Sequence, residues 1–308
     1  MGYMPSPPLK FRQLQYFLEV AELRHFTQAA ERLNVTQPTL SHQIADLEQQ
    51  LGVPLFDRVG KTVRLTEAGT LFRGFAEKSL RQLESGRAAL TELQGLERGV
   101  LRIGSSQSFV RRLLPPLLGR FAQRHPGVAI DVREMTALSI ESDLASGNLD
   151  LGIGYAPAIL AETELEPLFE ERLLLVVGHG HPLAGRAEVR MAELDQVELA
   201  LFVSDYTTRQ MLDALFADAG AEPLVVTESN SVSVLVGMAE TTSIGTIVLE
   251  SALSHQEDFA IVPLVDPIPT RTSALLWSRQ LYRSVAARHF ASMVREVFAH
   301  GSPLPMLR

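Results

Sequence analysis

Cysteine is absent from the 308 residues. That excludes disulfide bonds, zinc–thiolate centres and thiol-based peroxide sensing. Histidine occurs eight times, but never at a metal-binding spacing such as H-x-x-x-H, and His179-Gly180-His181 beside Pro182 reads as a turn. No run approaches the roughly 18 apolar residues of a membrane span. The opening MGYMPSPPLK is polar and proline-rich, unlike a secretory leader. The expectation is a soluble, cytoplasmic protein with no membrane partner. Gly152-Ile153-Gly154 lacks the third glycine and the following helix of a dinucleotide fingerprint, and no other catalytic constellation stands out, so neither an enzyme nor a cofactor is expected. The single tryptophan, Trp277, lies in an apolar strand and reads as core. Positive charge is also scarce, with 28 Lys and Arg against 36 Asp and Glu and a net charge of −8.

What is present is concentrated between Phe26 and Leu65. Phe26, Ala29, Ala30 and Leu33 fall at helical spacing and bury one face of a short helix. Asn34 suits the helix end because asparagine tolerates left-handed backbone angles. Thr36 is a good N-cap for a second helix, and Pro38 sits in its first turn, where a missing N–H costs nothing. Leu40, Ile44, Leu47 and Leu51 form one apolar stripe, and Gly52 ends the helix. The opposite face carries Gln37, Thr39, Ser41, His42 and Gln43, short or amide side chains able to meet base edges and phosphates. The same face would also serve an ordinary solvated helix. Residues 56–65 then read as a hairpin turning at Val59-Gly60-Lys61. It bears Arg58, Lys61 and Arg64 against one acid, Asp57, a basic wing suited to neutralising phosphate.

The stretch TQPTLSHQIADLEQQLGVPLFDRVGKTVRLTEAG resembles the signature of the LysR-type transcriptional regulators. The resemblance covers the first sixty-odd residues densely, and the length and element order of the remainder are similar too. It implies a winged helix-turn-helix in which Gln37, Pro38, Ser41 and His42 read bases, with Thr36 and Thr39 beside them. Arg58, Lys61 and Arg64 would contact phosphate or the minor groove. Two features depart from the family pattern. Ala45-Asp46 stands where many relatives have basic or polar residues, and His42 often corresponds to arginine, so direct charge contacts should be fewer. The absence of cysteine removes the redox-sensing version of the family.

Charge is unevenly spread. Residues 1–65 hold seven basic and six acidic side chains, residues 66–98 five of each, and residues 99–308 sixteen and twenty-five. A DNA module at about +1 binds weakly alone and needs several copies on one DNA. The next segment offers a means. Thr66 caps a proline-free stretch running to about Glu97, along which Leu71, Phe72, Phe75, Leu80, Leu83, Leu90 and Leu93 make a long apolar stripe. Some thirty residues give a helix of roughly 45 Å, read as a linker that packs antiparallel on its copy in a second chain. Folding back onto its own domain is the other reading.

Residues 100–308 alternate strands and helices, the pattern of parallel-type sheets covered by helices. VLRIGSS, VAIDVREM, LDLGIGY, a strand starting near Arg172, LALFV, PLVVTE, SIGTIV and TSALLWSR read as strands. Helices are expected through VRRLLPPLLGRFAQRH, over about Ile140–Ser146, over 207–219, from about Ser231, and in the closing RSVAARHFASMVREVFAH. This looks like the two-lobed, periplasmic-binding-protein-like effector domain of the same family. The expected fold is thus an all-α winged helix-turn-helix (1–65), a linker helix (66–98) and an α/β effector domain (99–308). Lobe one would span about 100–172 and 270–308, and lobe two about 173–269.

Ligands of open α/β sheets sit at strand C-terminal ends, near helix N-termini that favour anions. Three such turns are rich in hydroxyls and amides. They contain Ser106, Gln107 and Ser108; Ser204 and Thr208; and Asn230 and Ser231. Thr136, Phe202 and Thr246 lie near the same ends. These side chains could also be plain N-caps, but the family resemblance points to the same turns as an effector site. The segments SDYTTRQMLDALFADAG and ESNSVSVLVGMAETTSIGT look similar to the branch that includes the cyanate-operon regulator, which implies a small inorganic anion or carboxylate. The expected function is a sequence-specific regulator that binds an interrupted dyad in double-stranded DNA as a dimer of dimers, responds to a small co-inducer, contacts RNA polymerase to activate a nearby operon and represses its own gene. The alternative is a DNA-architectural or constitutive repressor protein without small-molecule input. A solute-binding module predicts a leader and no helix-turn-helix, and neither fits this chain.

Overall fold

The computed structural model describes residues 9–59, 62–92, 99–253 and 258–298. The chain divides into two compact units, Met1–Leu90 and Thr91–Arg308.

The first unit opens with a helix the sequence reading did not anticipate, α1 (Phe11–Leu23), followed by α2 (Phe26–Arg32) and α3 (Gln37–Leu51). Tyr16, Phe17, Val20 and Ala21 of α1 are buried; their i, i+4 recurrence is the signal that would have found it. Asn34 has φ 54°, the left-handed residue that turns α2 into α3. Gly52 closes α3 at φ 72°, a conformation that suits a residue without Cβ. Strands β1 (Phe56–Val59) and β2 (Thr62–Leu65) form the antiparallel wing, Phe56 opposite Leu65 and Arg58 opposite Val63. Phe17 packs its ring 5.3 Å from both Phe56 and Phe72, so one aromatic knot joins α1, the wing and the helix that follows.

That helix, α4 (Glu67–Glu92), is about 39 Å long at 1.5 Å per residue. Thr66 caps it, its Oγ1 accepting from Gly69 N at 2.9 Å. Phe72 and Ala76 pack onto the core of the first unit. Leu83 and Leu90 lie about three and five turns beyond Phe72 on the same helix side. With Leu71 and Phe75 they are 58–68% exposed, a long apolar surface that the described residues of the first unit do not cover. Residues 93–98, where the linker was expected to continue, fall outside the described residues.

The second unit begins with β3 (Gly99–Ser105), α5 (Gln107–Arg112), α6 (Leu114–Arg124), β4 (Val128–Glu134), α7 (Ala137–Ser146) and β5 (Leu151–Tyr155). The single helix expected through VRRLLPPLLG is two. Pro115 and Pro116 sit in the first turn of α6; neither has an N–H to continue α5, so a new helix starts there. Strand β6 (Thr163–Val177) starts nine residues before the position read from sequence. Its first half alternates acids with apolar residues and carries no run of branched residues to mark a buried strand. Then come β7 (Val189–Arg190), a 3-10 turn at Met191–Leu194, β8 (Glu198–Phe202), α8 (Thr207–Ala219), β9 (Leu224–Ser229), α9 (Val232–Thr241) and β10 (Gly245–Leu249). A 3-10 turn at Glu250–Ala252, β11 (Ala260–Val265), β12 (Thr270–Ser278) and α10 (Val285–Phe298) complete the unit. Strand β11, also unanticipated, runs antiparallel to β6.

Two sheet halves share β6. Residues Thr163 to Arg172 pair antiparallel with β12, which also pairs with β5 beside β3 and β4. Residues Leu173 to Val177 pair instead with β10 and β11, next to β8 and β9. The strand therefore leaves one lobe and enters the other at Arg172–Leu173. Helices cover both halves; the largest buried cluster draws on residues from Leu101 to Phe298, and two smaller ones form around Val232–Ala239 and around Ile140 and Leu144.

Candidate functional site

In the first unit, α3 presents Gln37, Pro38, Thr39 and His42 to solvent, with Ser41 half-buried, while Leu40, Ile44 and Leu47 are shut in the core. Thr36 Oγ1 accepts from Thr39 N at 3.4 Å, so Thr36 is spent as the cap. Gln37 Nε2 donates to Ser41 Oγ at 2.8 Å. His42 Nε2 lies 3.6 Å from Asp46. Glu48 fixes the wing against this helix, its Oε1 accepting from Leu55 N (2.7 Å) and Phe56 N (3.1 Å). Arg64 is exposed on β2. The Arg58 side chain and Lys61 lie outside the described residues.

In the second unit, a cavity of about 430 Å³ opens between the two lobes, at the C-terminal ends of β3, β4, β5, β8 and β9. Of the residues anticipated from sequence, Ser106, Gln107, Ser108 and Thr136 line it from one lobe, and Phe202, Thr208, Asn230 and Ser231 from the other. Two do not reach it. Thr246 is fully buried on β10 and donates to the Ala200 carbonyl at 2.7 Å, because alternate residues of a strand face opposite sides. Ser204 lies outside the lining, and its carbonyl accepts from Gln210 Nε2 at 3.3 Å.

Gln107 bridges the lobes. Its Oε1 accepts from Val232 N, the first residue of α9, at 2.7 Å, while its Nε2 donates to Glu134 Oε1 at 2.8 Å. The amide oxygen thus sits where a free helix N–H would favour an anion. Ser108 Oγ accepts from the Tyr155 hydroxyl at 2.9 Å. Burial, reinforced by the Glu171 carboxyl, holds that phenol well above its usual range, so it stays protonated and donates.

The residue that sequence reading missed is Arg271. It comes from β12, is 8% exposed and lines the cavity. Its guanidinium lies 4.5 Å over the Tyr155 ring, and Nη1 donates to Thr207 Oγ1 (3.0 Å) and Thr208 Oγ1 (2.8 Å) at the start of α8. Burial pulls its pKa below the usual arginine value. Directly opposite on β6 stands Glu171, 2% exposed, its Oε2 accepting from Ser251 N at 3.1 Å and its Oε1 meeting no hydrogen-bond donor among the described residues. Burial raises Glu171 above the ordinary carboxylate range. Nothing local marks Arg271 or Glu171 in the sequence; the strand pairing alone brings them together. At the mouth, Glu141 accepts from Ile159 N (2.9 Å) and Leu160 N (2.7 Å) and fixes Ile159 on the rim.

Residues 11–70 match the bacterial regulatory helix-turn-helix proteins of the lysR family, and residues 94–299 match the LysR substrate binding domain. The chain is 30% identical over 305 residues to a probable RuBisCO transcriptional regulator of Trichormus variabilis, covering 96% of this chain and 90% of that one. Its fold is similar to that of a full-length OxyR variant from Pseudomonas aeruginosa, with a TM-score of 0.75 and 26% identity over 98% of this chain and 99% of that one. It is also similar to full-length CbnR complexed with its target DNA, at a TM-score of 0.67 and 25% identity over 94% and 99%. A winged helix-turn-helix and a two-lobed domain with a cleft, matched together over most of the chain, establish that this protein belongs to the LysR family of DNA-binding transcriptional regulators.

Proposed function

We propose that residues 99–308 sense a small anion or carboxylate in the inter-lobe cleft and that residues 1–65 read half-sites of an interrupted dyad. Residues 66–98 pair two chains, and the effector domains join dimers into a tetramer. The observation that carries the sensing is the cavity itself, bridged by the bond from Val232 N to Gln107. A ligand there competes for, or adds to, the contacts that hold the lobes in one arrangement, and so shifts that arrangement by its differential affinity. The uncovered stripe of Leu71, Phe75, Leu83 and Leu90 supports pairing through α4. CbnR, similar over nearly its whole length, is a DNA-bound relative. Gln37, Ser41 and His42 read bases, with Pro38 and Thr39 alongside, and Arg64 with the other wing cations holds phosphate. The effector changes the angle between dimers, hence the DNA bend and contact with RNA polymerase, activating a nearby operon and repressing the regulator's own gene in the cytoplasm.

Footprinting and bend measurements, with and without a ligand found by thermal shift, test the reading. The expected result is a shortened or relocated footprint with ligand; an identical footprint and bend would return the chain to the constitutive alternative.

A further inference from the structure

We infer that the cleft takes an organic monocarboxylate with an apolar body, its carboxylate seated on Arg271 and its body lying against Met135, Leu138 and Ile159. This rests on the reading of the cleft as the effector site and specifies its ligand.

The first observation is a buried cation without a full counter-charge. No carboxylate of the described residues comes within 4 Å of the Arg271 guanidinium, and its hydrogen bonds go from Nη1 to two neutral hydroxyls. Nε and Nη2 have no acceptor among the described residues, and neither is sealed from open space. Glu171, opposite on β6, acts on the guanidinium only from beyond contact distance, and burial raises its own pKa. A buried charge is stable only when paired, so the site calls for an anion. The guanidinium lies 4.5 Å over the Tyr155 ring, and its Nε and Nη2 make a two-donor edge of the kind that matches a carboxylate bidentately.

Size, charge and rim narrow the class. A cavity of about 430 Å³ is scaled for a small organic molecule and is far larger than an inorganic anion needs. Arg271 is the one basic side chain among its described lining residues, whereas Glu134 and Asp205 are acidic, so a second carboxylate would meet repulsion. Leu138 is 51% exposed and Ile159 45% exposed, yet both line the cavity. Thr136 caps the helix carrying Leu138, and Glu141 holds Ile159. A ligand body covering this fixed apolar rim removes it from water.

The test is titration calorimetry of the full-length protein with monocarboxylates of increasing body (acetate, butanoate, hexanoate, benzoate, phenylacetate), the matched alcohols, succinate and sulfate. Affinity should rise at least tenfold from acetate to the best larger monocarboxylate and exceed that of the matched alcohol and of succinate at least tenfold. Arg271→Gln should remove at least tenfold of it. Should that variant fail to fold, Leu138→Ser at the exposed rim gives the second arm, weakening hexanoate severalfold while leaving acetate unchanged. Sulfate or an alcohol binding as tightly as every carboxylate, or a carboxylate indifferent to both substitutions, overturns the carboxylate assignment but leaves a sensing cleft. A carboxylate that binds as described while footprint and bend stay unchanged overturns the regulatory reading and leaves the ligand class standing.

Discussion

The two recognition surfaces of this protein are built on opposite principles. The α3 face, proposed to read DNA, carries exposed polar side chains on a helix whose other face is locked in the core, and its polar groups pair locally, as Gln37 does with Ser41. The cleft, as the proposed ligand site, holds a charge that is almost wholly buried, fixed by partners on two other elements: Tyr155 on β5 and Thr207–Thr208 on α8. DNA brings its own dense charge and a long repeating surface, so a weak module repeated in several copies suffices. A small molecule makes few contacts, so each must be strong and pre-organised. One surface is thus local in sequence and the other is assembled from distant strands.

The sharpest way to break this contrast is Gly69→Ala. A Cβ at Gly69 would lie 2.0 Å from the Leu55 carbonyl oxygen, so α4 could not cross the loop before the wing. The expected cost to the first unit is about 3 kcal/mol, with DNA binding lost and ligand affinity of the cleft retained. Gel-shift and calorimetric titrations of the same variant check both halves, and loss of cleft binding would show the units to be interdependent.

Next come the base contacts. Gln37→Ala or Ser41→Ala should relax sequence preference by about 1–3 kcal/mol per lost contact. Arg64→Ala should weaken all sequences alike and lower the salt slope by about one. Competition binding against non-specific DNA at several salt concentrations separates them, and equal losses on both DNAs for both kinds of variant would remove the division of roles.

A smaller effect is expected from Gln107→Ala, which deletes the acceptor at Val232 N and should cost about 1 kcal/mol. Small-angle scattering should show a wider spread of lobe arrangements; an unchanged profile would mean the bridge does not hold the lobes.

The smallest concerns pH. Burial raises Glu171 in the folded chain above its ordinary value of 4.5, so folding favours the protonated form. Its contribution to stability is complete below the unfolded value and is lost as pH rises through the folded one. Glu171→Gln should therefore flatten the decline in stability above pH 4.5, read as a smaller shift of urea midpoint toward neutrality than in the parent. Parallel curves would show that the carboxyl is ionised without penalty.

Much of the first unit was legible because its signals are short-range. Thr36, Pro38, Asn34 and Gly52 act on their own turns, and the wing follows two strands joined by a tight turn. What escaped was α1, whose Tyr16–Ala21 stripe lies ahead of the motif. In the second unit the hydroxyl-rich turns were legible for the same local reason, and eight of their side chains and neighbours meet in one cavity. Thr246 looked equivalent but points into the sheet, since one residue of register decides which face a strand residue takes.

The sequence by itself determined the family, the second helix of the helix-turn-helix with its caps, and the alternation of strands and helices, because periodicity and capping are written within a few residues. Only the tertiary structure decided the chemistry of the cleft. Arg271 lies about a hundred residues beyond Glu171 and Tyr155 in the chain, and antiparallel pairing of β6 with β12 brings it opposite Glu171. Burial then makes an ordinary arginine a charge in need of a partner, and burial is a property of the packed chain that no local pattern encodes.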